Sequence, residues 1–140
     1  MIEGVKIIDC NVIPKNNGNI IHHTKVLEPS FKSFGELYIS TIDKSEPKFW
    51  KKHKEMICSI MVIRGRVKFH FFNDINQSEN NQCYSYINMS FEESRKLIIQ
   101  PNTWFAFQSV KPFHESAILN LASIEHQDNE VEKIPFSKFT

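Results

Sequence analysis

Apolar side chains recur along this chain at every second position far more often than at every third or fourth, the spacing of half-buried strands rather than of helices. Residues 36–42 set Leu37, Ile39 and Thr41 on one face and Tyr38, Ser40 and Ile42 on the other, so one face carries small polar groups among the apolar ones. Residues 66–72 divide Val67, Phe69 and Phe71 from Arg66, Lys68 and His70. With residues 57–63 and the Arg64-Gly65 hinge before them, they read as a β-hairpin. Further strands are predicted at 4–9, 20–26, 83–89, 97–100, 104–110 and 117–123. Asn16-Asn17-Gly18-Asn19 and 43–47 are turns, and 73–82 is a polar loop. Ser90 with Glu93 three residues on has the capping-box pattern of a single helical turn over 90–95. The acidic stretch from Glu125 onward reads as irregular.

Eight or so short strands with turn signals between them predict an all-β sandwich or barrel, and a jelly-roll barrel is one way to hide the sheet edges. A chain of 140 residues can bury a core of its own without metal or disulfide staples, so residues 1–140 are read as one domain. Twelve Phe, three Tyr and two Trp suit pleated surfaces. Lys and Arg number 17 against 16 Asp and Glu, a balance that gives no field to attract nucleic acid or an anionic membrane. Three widely spaced cysteines without a CxxC fit a reducing cytoplasm, and neither a leader pattern nor a membrane-length apolar run is present.

Five stretches carry a family resemblance: NNGNI at 16–20, WKKHKEM at 50–56, IRGRV at 63–67, IIQPNTWFAF at 98–107 and AILNLASIEHQDNE at 117–130. In their order they resemble the sugar-nucleotide cupins, the group of the dTDP-4-dehydrorhamnose 3,5-epimerases and the dTDP-4-keto-6-deoxyglucose 3,4-ketoisomerases. The resemblance implies a cupin-type jelly-roll β-barrel. It also implies a small-molecule nucleotide sugar as partner, a role in cell-surface polysaccharide biosynthesis and a homodimer. It aligns His53 with the catalytic histidine. The epimerase arginine falls on Trp50, a second epimerase histidine near Phe105 and the epimerase tyrosine near Asn120. The first histidine of the ketoisomerase pair falls on Lys51. The long epimerase tail that gives the histidine its aspartate has no counterpart, so a complete dyad is not expected. The missing tyrosine and the shortened tail favour a second reading, a non-catalytic sugar- or nucleotide-sugar-binding cupin that has lost the catalytic acid.

Epimerisation beside a ketone needs a base for the acidic C–H, a donor to the enolate oxygen and an acid on the opposite face. His53 suits the base, because a neutral imidazole is available at physiological pH; the plain alternative is a strand-end histidine. Tyr38 is the substitute acid, or else a rim tyrosine. Ser40 lies on the same strand face. Of the lysine run, Lys51 shares the parity of His53 and is the one placed to meet a diphosphate or a carbonyl, while Lys52 and Lys54 point the other way. Trp104 is read as a stacking platform for a base or as core, and Asn120 as a partner for a sugar hydroxyl or as an interior amide. No metal and no cofactor are expected. His53 and Glu55 lack an HxH, His22 and His23 point to opposite faces of an extended segment, His70, His114 and His126 are scattered, and there is no GxGxxG.

Overall fold

The computed structural model describes residues 2–43, 45–47, 49–73, 84–113 and 115–138. The 74–82 loop, Cys83 and His114 lie outside them. Twelve strands run through the described residues: β1 (Val5–Asp9), β2 (Val12–Lys15), β3 (Gly18–Ile21), β4 (Glu36–Ile42), β5 (Phe49–His53), β6 (Cys58–Arg64), β7 (Arg66–Phe72), β8 (Tyr84–Ser90), β9 (Arg95–Ile99), β10 (Trp104–Ser109), β11 (Ser116–Ala122) and β12 (Val131–Pro135). They form two five-stranded antiparallel sheets, ordered β1-β9-β6-β11-β4 and β12-β5-β10-β7-β8, with β2 and β3 as a separate hairpin. This is the all-β, cupin-type jelly roll that the spacing and the resemblance predict. No described helix is long and apolar enough to cross a membrane.

The core lies between the inner faces of the two sheets. Ile60, Val62, Leu97, Ile99 and Ile118 of the first meet Val67, Phe69, Phe71, Met89 and Phe105 of the second. Val67, Phe69 and Phe71 are fully buried, as their alternation with Arg66, Lys68 and His70 requires. Yet β6 and β7 are not a hairpin. β6 pairs with β9 and β11 and β7 with β8 and β10, so Gly65 turns the chain from one sheet into the other. Its φ of +75° and the Ser116 hydroxyl, which a Cβ would strike, explain why glycine stands at this corner. Period-two patterning identifies strands but is silent on which sheet each one joins.

Two other expectations are corrected. The extended segment expected at 20–26 stops pairing at Ile21. Beyond it the chain serves Lys96, buried on β9, whose Nζ donates to the His23 carbonyl at 2.6 Å and is ion-paired with Glu28. The tail is not irregular either. After a 3₁₀ turn at Asp128–Glu130, β12 pairs along the whole of β5, from Val131 opposite His53 to Pro135 opposite Phe49. A second apolar cluster on the outer face holds it there. Phe136 stacks on Trp50, ring centres 5.0 Å apart, and the Trp50 indole N–H donates to the Phe136 carbonyl at 2.8 Å. The 90–95 turn is a 3₁₀ turn at Phe91–Glu93, with the Ser90 N–H donating to Glu93 Oε1 at 2.8 Å.

Candidate functional site

On one side of the sandwich β4, β11 and β6 face β5, β10 and β12. A cleft of about 560 Å³, its solvent mouth included, opens there. Five of the six side chains singled out from the sequence line it: Tyr38, Ser40, Lys51, His53 and Asn120. Trp104 does not. Neighbours on a strand point to opposite faces, and it is Phe105 and Phe107 of β10 that face the cleft. Trp104 is buried in the outer cluster with Trp50 and Ala106, and the Lys52 ammonium lies 4.8 Å from its ring centre.

His53 is buried at the end of β5, its imidazole stacked on Phe105. Its Nδ1 lies 2.5 Å from Oε1 of Glu130, the residue that leads into β12. The other carboxylate oxygen, Oε2, accepts the backbone N–H groups of Glu55 and Met56, each at 3.1 Å. Burial by itself would raise the Glu130 carboxyl. The bonds from His53 and the two amides outweigh it and hold the group below its ordinary range. An ionised carboxylate can only accept, so Nδ1 carries a proton, and in the neutral imidazole it is Nε2 that holds the lone pair. The expectation that no dyad is complete is thereby corrected, for Glu130 supplies the carboxylate from the short tail.

The opposite wall is equally fixed. Asn120 Oδ1 accepts the Ser59 backbone N–H at 3.1 Å, and its Nδ2 donates to the Tyr38 hydroxyl at 2.9 Å. Both ends of the amide are thus engaged by protein, and Asn120 is an interior amide that orients Tyr38. Because the phenolic oxygen already accepts one bond, its own proton is free to be donated toward the cleft. Burial, offset in part by the Asn120 bond, raises the Tyr38 phenol above its usual value, so it stays protonated through the neutral range. Behind it, the Cys58 thiol is pushed up to about 12 by burial, which rules out a thiolate nucleophile.

Lys51 and Lys133 stand opposite each other on β5 and β12, and both line the cleft. Burial and then the Lys133 charge lower the Lys51 ammonium from its usual range. His126 completes the mouth, hydrogen-bonded to Asp128 at 3.0 Å. Among the described residues no three His, Cys, Asp or Glu side chains form a metal-binding group. Sequence reasoning missed Glu130, His126 and Lys133. The signal was present but weak, since Val131 turns to the cleft and Ile134 to the outer cluster, leaving β12 no single apolar face to detect.

No family model and no curated protein sequence matches the chain. Solved structures do. A dTDP sugar isomerase from Desulfovibrio desulfuricans G20 superposes with a TM-score of 0.85 at 24% identity, over 97% of this chain and 87% of that one. A sugar 3,4-ketoisomerase from Thermoanaerobacterium thermosaccharolyticum, in complex with TDP, gives 0.77 at 19%, over 94% and 89%. The dTDP-4-dehydrorhamnose 3,5-epimerase from Sulfolobus tokodaii gives 0.81 at 18%, over 96% and 79%.

Proposed function

With the fold of dTDP-sugar isomerases and epimerases as premise, we propose that this chain is itself an isomerase or epimerase acting on a dTDP-linked 4-keto-6-deoxy sugar. The observation that carries the proposal is one cleft with a base and an acid on facing walls. The His53–Glu130 pair presents a lone pair at Nε2, and Tyr38, oriented by Asn120, presents a proton. His53 takes the proton from the carbon beside the carbonyl, and Tyr38 returns one from the other face. Glu130 holds the imidazole in the tautomer that can act and stabilises the imidazolium that forms. A sugar-binding protein without catalysis, favoured by the missing epimerase tyrosine and the short tail, is the weaker reading, because Glu130 supplies a carboxylate and Tyr38 faces the cleft as a substitute acid.

The test is hydrogen exchange. Incubation of dTDP-4-keto-6-deoxyglucose with the protein in deuterated water should introduce deuterium at C3 or C5, read by NMR or mass spectrometry. Tyr38→Phe should slow net conversion more than this exchange, since it removes the returning proton and leaves the base. No exchange with this substrate or other 4-keto nucleotide sugars would refute the proposal and restore the binding-protein reading.

We infer further that the protein works in the cytoplasm, in the assembly of cell-surface polysaccharide, as a homodimer. The support for a dimer is on β4, an edge strand whose outer face exposes Leu37 and Ile39 beside Phe34. Sedimentation should give twice the chain mass for the wild type and a monomer for Leu37→Lys/Ile39→Lys. A monomeric wild type would end the inference.

A further inference from the structure

The β5–β12 ladder treats charge differently on its two faces. On the outward face Lys52 stands opposite Glu132, opposite signs in register, as a solvated surface arranges them. One residue away, on the cleft face, Lys51 stands opposite Lys133. Like charges directly opposite each other weaken an antiparallel pair, and nothing nearby offsets these two. Among the described residues neither ammonium takes part in an ion pair, and no aspartate or glutamate lines the cleft. Glu130 has both oxygens committed to His53, Glu55 and Met56. The facing wall offers Tyr38, Ser40 and Asn120, all neutral. Lys51 is half-buried with Nζ 5.6 Å from the Phe107 ring centre, a contact that favours its charged form, while Lys133 lies on the exposed edge strand β12. Two ammoniums held against one space without an anion of the protein's own are accounted for by an anion that arrives with a ligand.

We propose that Lys51 and Lys133 form a clamp for a diphosphate, so that the ligand lies along β12 with its phosphates on this pair and the rest of the molecule directed at His53. The spacing fits. On the cleft face of β5 the residue after Lys51 is His53, about 6.6 Å along the strand, comparable with the span of a pyranose from a reacting carbon to the phosphate on C1. A diphosphate held at the level of Lys51 and Lys133 therefore leaves the sugar ring at the level of His53, where Val131, the residue opposite, adds an apolar wall. Lysine suits the task, being a point charge on a flexible stem that can follow either phosphate group. Without ligand the two charges repel, and a bound dianion removes that repulsion. That the diphosphate belongs to a sugar nucleotide rests on the isomerase reading. The clamp does not, because free pyrophosphate meets the same two charges.

Calorimetry with dTDP, inorganic pyrophosphate and thymidine reads the clamp directly. Wild type should bind pyrophosphate alone, and dTDP about tenfold or more tighter than thymidine. Lys51→Met and Lys133→Met keep the stem and remove the charge. Each should weaken dTDP and pyrophosphate by about tenfold or more and leave thymidine within about twofold. Lys52→Met, on the outward face, should leave all three affinities unchanged. A thermal melt separates loss of the clamp from misfolding. Lys133→Met without ligand should unfold no earlier than wild type, since it loses a repulsion, and should lack the rise in Tm that pyrophosphate gives wild type. Affinities for dTDP and pyrophosphate that stay at the wild-type level in both Met variants would overturn the proposal. So would slower deuterium exchange in Lys51→Met at saturating substrate with dTDP binding unchanged, which would put Lys51 on the reacting oxygen instead. If the clamp fails while wild type exchanges deuterium normally, the isomerase reading survives. Pyrophosphate held by both lysines without exchange of any keto sugar upholds the clamp and removes the isomerase reading.

Discussion

Replacing His53 by Asn should stop deuterium incorporation into a 4-keto nucleotide sugar, with the rate falling by about a thousandfold or more, the upper part of what a positioned base supplies. Asn is the informative replacement. Its amide lacks a basic nitrogen, yet it is polar and fits within the space of the imidazole, so Glu130 keeps a hydrogen-bonding neighbour. Ligand affinity, measured by calorimetry with dTDP, should change by no more than a few-fold, because the base acts on the transition state rather than on ground-state binding. Exchange at the wild-type rate in His53→Asn would eliminate His53 as the base. Loss of both exchange and dTDP binding would point instead to a collapsed cleft, which a thermal melt of the variant would reveal.

How far the sequence reveals this site depends on which strands carry it. Tyr38, Ser40, Lys51 and His53 lie on β4 and β5, whose alternation separates cleft-facing from outward residues, and parity alone groups Lys51 with His53 and sets Lys52 apart. Parity also fixes that Trp104 and Phe105 point to opposite faces. It does not say which face is the inner one, and both of β10's faces are apolar, so nothing local decides between them. Glu130 was beyond reach for a different reason. Its pairing with His53 spans 77 residues and depends on β12 docking along β5, which is secured on the outer face by Phe136 and Trp50. A carboxylate in a polar tail gives no local sign that it will be buried. The Gly65 corner follows the same rule: the turn was legible, the change of sheet was not.

Glu130→Gln should show that this carboxylate is structural as well as chemical. In the folded chain it accepts three N–H groups, two from the backbone and one from His53. A glutamine has one accepting oxygen and one donating nitrogen. If the oxygen faces His53, the NH₂ confronts the Glu55 and Met56 amides, donor against donor. If it is flipped, the NH₂ confronts Nδ1 and forces the proton onto Nε2, which abolishes the base. Only the first arrangement leaves the two amides unpaired, at a cost of about 2–4 kcal/mol for the two together; the second keeps them on the glutamine oxygen and gives up the basic Nε2 instead. In both, neutral bonds replace charge-assisted ones, so urea unfolding at pH 7 should give a lower stability for the variant, and exchange should fall by about a hundredfold or more. The pH dependence has a definite sign. The folded-state carboxyl is held below its ordinary value, so its stabilisation is fully present above the ordinary glutamate pKa of about 4.3 and is lost as pH falls through the lower, folded-state value. Wild type and variant should accordingly differ most between pH 5 and 7 and converge on acidification, as the wild-type carboxyl takes up the proton whose absence made it useful. A variant as stable as wild type at pH 7, or a gap that widens toward acid, would show that Glu130 does not hold His53 in the way its geometry requires.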